Sequence, residues 1–119
     1  MEKFVEITYL YDFYQVLLTD KQRELISSYY FDDLSLGELA IQHNISRQSV
    51  FDTIKKAEQK LLDYENKLQL WSKYQKQEKI IKYMEEKIEK LADDQESKEI
   101  RDTCLAEIKE LIGQLMSEM

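Results

Sequence analysis

Proline is absent from this 119-residue chain, and glycine occurs only at Gly37 and Gly113. A chain without proline has no obligatory helix breaker, and one with two glycines has few of the positions that tight β-turns demand. Leucine, glutamate, lysine and glutamine are abundant and are strong helix formers, so composition predicts an all-α protein. The single cysteine, Cys104, excludes an intramolecular disulfide, and the single histidine, His43, leaves no Cys/His set to hold zinc. Cys104 reads as a buried, unreactive thiol on an apolar stripe. His43 reads as a helix-end residue beside a turn. No run approaches the eighteen or so apolar residues of a membrane helix. The opening "MEKFVEITYLYDFYQVLL" carries Glu2, Glu6 and Asp12 where a secretory leader wants basic residues. The expected setting is therefore the cytoplasm, with no membrane partner. Two isolated glycines cannot build a phosphate-cradling loop. Acid pairs such as Asp32–Asp33 and Asp93–Asp94 fall at expected turns, where capping accounts for them. No catalytic constellation, metal site or cofactor site is expected, and the protein reads as a non-enzyme.

What is present is helical periodicity. Phe4, Ile7, Tyr11, Tyr14 and Leu18 recur at intervals of three and four, widened by Leu10, Phe13 and Leu17, which predicts one helix over about 2–18 with an aromatic buried stripe. Thr19 and Gln22 fit a capping box that starts a second helix over about 20–32, with Leu25, Ile26, Tyr29 and Tyr30 inward. Ser35 and Glu38 fit another, starting a third helix at about Leu36 that ends near His43. Asn44 falls where the chain must turn sharply, and asparagine tolerates a left-handed backbone. Ser46 is a good N-cap for a fourth helix from Arg47 to about Tyr64. Beyond it, Leu68, Trp71, Ile81, Met84, Ile88 and Leu91 form one stripe, and Ile100, Cys104, Ile108, Leu111 and Leu115 a second. "ADDQES" between them is the expected turn, with Asp93 or Asp94 as cap, so the tail reads as a helical hairpin with a short coiled-coil-like seam. The expected organisation is a helix-turn-helix core with N-terminal helices over 1–65 and an amphipathic helical tail over 66–119.

The stretch "LSLGELAIQHNISRQSVFDTIKKAEQKL", Leu34 to Leu61, carries the most information. A helix-turn-helix needs a small residue where its helices touch, a turn that admits a left-handed residue, and apolar anchors on the second helix. Ala40, Asn44 and Val50 stand at the right spacing, with Leu36, Leu39, Ile45 and Ile54 as further anchors. If Val50 and Ile54 point inward, Arg47, Gln48, Phe51, Asp52 and Lys55 point outward. Arg47 and Gln48 then suit base edges, since arginine forks to guanine and glutamine pairs with adenine. Lys55 and Lys56 suit phosphates, and Ser46 and Ser49 lie at the helix start, whose amides also favour an anion. The candidate nucleic-acid-binding set is Ser46, Arg47, Gln48, Ser49, Phe51, Lys55 and Lys56.

Charge runs against simple DNA binding. Acidic side chains outnumber basic ones 24 to 17, giving a formal net charge of −7. Residues 1–43 and 84–119 are acidic, 44–65 are balanced, and 66–83 carry five lysines against Glu78 alone. The most basic stretch is thus "NKLQLWSKYQKQEKIIKY", where Trp71 and Tyr74 interleave with lysines. Such interleaving suits RNA or a protein partner, so Lys73, Lys76, Lys79 and Lys82 form a second candidate patch. The aromatic and tail stripes together exceed what a small monomer easily covers, which predicts a homodimer.

The segment "TDKQRELISSYYFDDLSLGELAIQHNISRQSVFDTIKKAEQKL" resembles region 4 of bacterial sigma factors. The start "YLYDFYQVLLTDKQ", this core and the acidic helical tail together resemble the YlxM family of small bacterial helix-turn-helix proteins, most specifically over residues 8–62. The resemblance implies a sigma region 4-like all-α fold and a regulatory role in the signal recognition particle pathway, with the particle's GTPase or its RNA as partner. The family's "ISRQSVFD" falls here on Ile45 through Asp52. Phe51, Asp52 and the scarcity of arginine depart from promoter-reading sigma segments and suit protein or structured RNA. A sequence-specific regulator of duplex DNA is the alternative, and a dimeric interaction module the third reading.

Overall fold

The computed structural model describes residues 2–92 and 97–117. Those residues form six α-helices: α1 Lys3–Tyr14, α2 Asp20–Tyr30, α3 Leu36–His43, α4 Arg47–Leu68, α5 Leu70–Leu91 and α6 Lys98–Ser117. No strand occurs among the described residues. The chain divides into two compact units, Met1–Trp71 and Ser72–Met119, whereas sequence pattern places the boundary at 65/66. The difference arises because Leu70 and Trp71 are tied back to the first unit, as set out below.

The first unit is built on α4. Helices α1, α2 and α3 all pack against it. Its inner face is Val50, Ile54, Ala57, Glu58 and Leu61, a spacing of four, three, one and three that keeps one side of a helix covered. Against it lie Ile7, Leu10, Tyr11 and Tyr14 of α1, Leu18, Leu25 and Ile26 of α2 and its approach, and Leu39 of α3, all buried. Fully burying each aliphatic side chain stabilises by about 1.5–3 kcal/mol, so this face supplies most of the unit's cohesion.

Local chemistry sets the turns. Thr19 and Gln22 form a reciprocal capping box, as do Ser35 and Glu38. Asn44 takes the left-handed conformation (φ 52°, ψ 48°). Its N–H bonds to Ile41 and that of Ile45 to Ala40, which is the Schellman arrangement that closes a helix end. Ser46 Oγ then accepts from the Ser49 amide at 3.0 Å and starts α4. The α3–turn–α4 helix-turn-helix is therefore present where the sequence places it.

Three expectations need correction. The first helix stops at Tyr14, and Gln15–Leu17 tighten into a 3-10 turn, because Thr19 must be extended to cap α2. That turn carries Leu18 inward but leaves Leu17 44% exposed, and Phe4 at the other end is 51% exposed. The fourth helix runs on past Tyr64 to Leu68, and Gln69 breaks the chain with a left-handed backbone (φ 54°, ψ 33°). Side chains cap the helix that follows. Tyr14 Oη accepts from the Leu70 amide at 3.0 Å and donates to Glu65 Oε1 at 2.6 Å, while Glu65 Oε1 accepts from the Trp71 amide at 3.1 Å. Trp71 also stacks on Tyr9, centroids 5.6 Å apart. Two amides at the start of α5 that no helix can satisfy internally are thereby satisfied from α1 and α4.

In the second unit the α5 stripe is shifted from the expected one. Gln77, Ile80, Met84, Lys87 and Leu91 are the less exposed positions, while Ile81 and Ile88 point out. Lys87 sits on that inner seam and pairs with Glu107 of α6. Arg101 donates to the Leu91 carbonyl at 3.2 Å. Cys104 is buried, as expected, and is the one buried residue among those described in this unit. Grooves of about 280 Å³ and 390 Å³ remain between the helices, around Cys104 and Tyr83 respectively. Asp93 and Asp94, the expected caps, lie outside the described residues. Ser97 Oγ accepts from the Ile100 amide at 3.3 Å at the start of α6.

The Tyr14 hydroxyl gives a test. Burial, and then its bond to Glu65, raise its pKa from 10.0 to about 12. A raised acid pKa favours the protonated, folded state, so this contribution is whole below pH 10 and disappears as pH climbs to about 12. Tyr14→Phe is expected to lower stability by about 1–2 kcal/mol at neutral pH, because the Leu70 amide loses its acceptor. Its stability should also fall less steeply than wild type across that alkaline window. Urea unfolding at neutral and alkaline pH checks both.

Candidate nucleic-acid interface

The first half of α4 carries the candidate residues. Arg47, Gln48, Phe51, Lys55 and Lys56 are exposed on it. Ser46 is exposed but is occupied as the helix cap, and Ser49, whose amide it caps, is partly buried. The helix start and its first turns thus gather the set, with Lys56 turned half a revolution from Arg47.

Side-chain pairing along the strip decides what it can do. Gln48 Nε2 donates to Asp52 Oδ1 at 2.9 Å. The amide that would read adenine is thus held by a carboxylate one turn along, on a face where phosphate oxygens would repel that carboxylate. Phe51 is 41% exposed, and Lys55 Nζ lies 5.5 Å from its ring centroid. That is cation–π distance, worth roughly 0.5–1 kcal/mol at an exposed site. Lys55 also pairs with Glu58 Oε2 at 3.5 Å. Arg47 at the first turn and Lys56 beyond it are exposed.

Glu58 is the residue that sequence reasoning missed. It belongs to the buried face of α4, at 4% exposure, yet carries a carboxylate. Lys3 Nζ reaches Oε2 at 3.1 Å and Tyr30 Oη donates to Oε1. Burial, then the bond to Glu58, pushes the Tyr30 pKa upward. The Glu58 hydrogen bond likewise raises that of Lys3, keeping the ammonium charged. Tyr30 in turn packs on Phe4, centroids 5.1 Å apart. Lys3 and Phe4 therefore join the edge of the α4 strip. The only signal in the sequence was Glu58 itself, an acid at a position whose neighbours Ile54, Ala57 and Leu61 mark the inner face.

The four tail lysines, Lys73, Lys76, Lys79 and Lys82, lie exposed on α5 at three-residue intervals. Lys79 and Lys82 line a shallow depression with Gln75 and Glu78. They belong to the second unit and the α4 strip to the first. Among the described residues no cluster of histidine, cysteine or acid could hold a metal ion, and no helix is long and apolar enough to cross a membrane.

A model of the YlxM/p13-like helix-turn-helix family, UPF0122, matches residues 1–111. The chain belongs to that family. It is 46% identical over 96 residues to a UPF0122 protein of Halalkalibacterium halodurans, spanning 81% of this chain and 88% of that one. A Bacillus licheniformis relative is 48% identical over 95 residues, 80% and 85% of the two chains. One from Anoxybacillus flavithermus is 53% identical over 81 residues, 68% and 74% of the two. The family is described as helix-turn-helix, which agrees with the resemblance and the all-α fold.

Asp52 is the side chain that most opposes an anion here. Asp52→Ala removes that repulsion and frees Gln48. Affinity for a mixed-sequence duplex or hairpin should rise by about 5-fold at low salt, the scale of one charge a few ångströms from a phosphate, and the gain should shrink as salt rises. Anisotropy titration at two ionic strengths is the check.

Proposed function

We propose that this is a non-enzymatic regulatory protein of the cytoplasm that binds its partner through exposed residues of its helix-turn-helix. Its target in this reading is a component of the signal recognition particle, the RNA or the GTPase, and not promoter DNA. One observation carries the choice between nucleic acids. The centre of the strip is an exposed phenylalanine beside a glutamine already bonded to aspartate, which suits unpaired or structured RNA better than duplex base edges. The family resemblance is what points to the particle. The Lys73–Lys82 patch supports the same reading as a second, electrostatic contact.

Crosslinking in cells, recovery of the protein and sequencing of the attached nucleic acid test this reading. Enrichment of the particle's RNA without DNA peaks is expected, and it should fall when Lys73, Lys76 and Lys79 are reversed to glutamate. A discrete set of duplex sites would favour the second reading, a sequence-specific DNA regulator. That reading rests on the exposed Arg47 at the start of an intact helix-turn-helix. There, Arg47→Ala would cost roughly 1–3 kcal/mol on the preferred site.

A second copy of the chain is the remaining partner in this proposal. Tyr74, Ile81 and Ile88 on α5 are all more than 40% exposed and stand seven residues apart, and on α6 Leu105, Ile112 and Met116 are exposed at intervals of seven and four. Apolar residues exposed at heptad spacing suit the seam of a helical bundle. The basic first half of α5 and the acidic residues of α6 supply complementary charge to an identical partner. Sedimentation is expected to give twice 14.3 kDa, and Ile81→Glu with Ile88→Glu should give the single chain mass. A wild-type chain that sediments as a monomer at micromolar concentration would refute the dimer.

A further inference from the structure

We infer that an aromatic and cationic ledge running from Phe51 across Lys55 and Lys3 to Phe4 is a stacking site for unpaired RNA bases. The inference deepens the nucleic-acid reading above and rests on it. The ledge begins where the α4 strip meets α1. Phe51 and Phe4 are 41% and 51% exposed, although each ring has a large apolar face that burial would favour. Between them stand two ammoniums on one carboxylate oxygen: Lys55 and Lys3 both reach Glu58 Oε2, at 3.5 and 3.1 Å. Tyr30 occupies the other oxygen and supports Phe4 from behind, 5.1 Å between centroids.

Each part has a consequence. Glu58 is almost wholly buried and so fixes both lysines by their head groups, yet the lysine side chains stay about half exposed. Two positive charges answer one buried negative charge between the rings, in a chain whose overall charge is −7. Exposed rings flanking held cations offer base faces and phosphates what each prefers. A duplex hides its base faces, so the ledge can stack only bases that are unpaired. An apolar protein groove would be expected to meet an aliphatic surface, without two cations to desolvate between the rings. Phe51 places the ledge beside Arg47 and Gln48, so a strand stacked there passes the start of α4.

The test uses the full chain and three probes of one sequence: a hairpin RNA with an unpaired mixed-sequence loop, the same strand annealed to its complement, and the matching DNA duplex. The hairpin is expected to bind tighter than either duplex. Phe51→Ala and Phe4→Ala should each weaken hairpin binding by roughly 5- to 100-fold, the scale of one lost base–aromatic stack. Phe51→Tyr and Phe4→Tyr, which keep a ring, should bind close to wild type. Circular dichroism confirms that every variant is folded. Iodouridine placed in the loop should photocrosslink to peptides containing Phe51 or Phe4. Alanine variants that bind the hairpin as wild type does, or a duplex bound as tightly as the hairpin, would overturn the ledge. If Arg47→Ala then still weakens binding, only the ledge falls. If the wild-type chain binds none of the three probes, the nucleic-acid reading falls with it.

Discussion

A carboxylate at 4% exposure has to be answered from every side, and the way Glu58 is answered organises the first unit. The acid rides on the one helix that α1, α2 and α3 all touch. Lys3 comes from α1, Tyr30 from α2 and Lys55 from α4 itself. A hydrophobic residue at this position would pack, but would not choose among rotations of α1 and α2 over α4. An acid chooses, because a buried charge that loses one partner costs several kcal/mol. The same constraint brings Lys3 beside Lys55 of α4, 52 positions further along the chain. Folding specificity and the make-up of the candidate interface thus come from one side chain.

Tyr14 and Glu65 perform a parallel task at the other end of α4. Gln69 breaks the helix in a left-handed conformation with no glycine to ease it. The break is affordable because the amides of Leu70 and Trp71 find acceptors waiting, on residues held by the core. Trp71 then returns to stack on Tyr9. Both devices use tyrosine in the same way: the ring adds apolar area to the core, and the hydroxyl reaches a glutamate at its edge. Two of the eight tyrosines, Tyr14 and Tyr30, are used in this way.

What could be read from sequence followed from how local each cause is. The capping boxes at Thr19–Gln22 and Ser35–Glu38, the left-handed Asn44 and the Ser46 cap depend on residues within three or four positions, and pattern reveals them. The inner face of α4 shows equally well, because Val50, Ile54, Ala57 and Leu61 keep helical period. The break at Gln69 was invisible, since its support comes from Tyr14, more than fifty positions away. The register of α5 was missed because apolar spacing favours Ile81 and Ile88, while the inner seam takes Lys87 for its pairing with Glu107. In the interface, the outward side chains of α4 were legible as a list. Their mutual pairings were not: Gln48 with Asp52 needs a rotamer, and Lys55 with Glu58 needs to know that Glu58 is buried. Phe4 fits the apolar period of α1 and was for that reason counted as core.

The acid balance, which first argues against nucleic acid, acquires a use in this arrangement. Non-specific affinity scales with the phosphates a surface neutralises. A chain of net charge −7 gives little of it away to arbitrary duplex. Asp52 in the centre of the strip lowers it further. In the proposed reading, what survives is binding that does not depend mainly on charge: ring faces at Phe51 and Phe4, and a few cations each held by a specific contact. Stacking contacts resist salt far better than phosphate contacts do, and they need unpaired bases. On that proposal, a helix-turn-helix with exposed rings in place of basic density would disfavour the abundant competitor, duplex DNA, before it gains anything on its own target. In the proposed reading, discrimination by repulsion at Asp52 and by stacking at Phe51 would then come from adjacent side chains of α4.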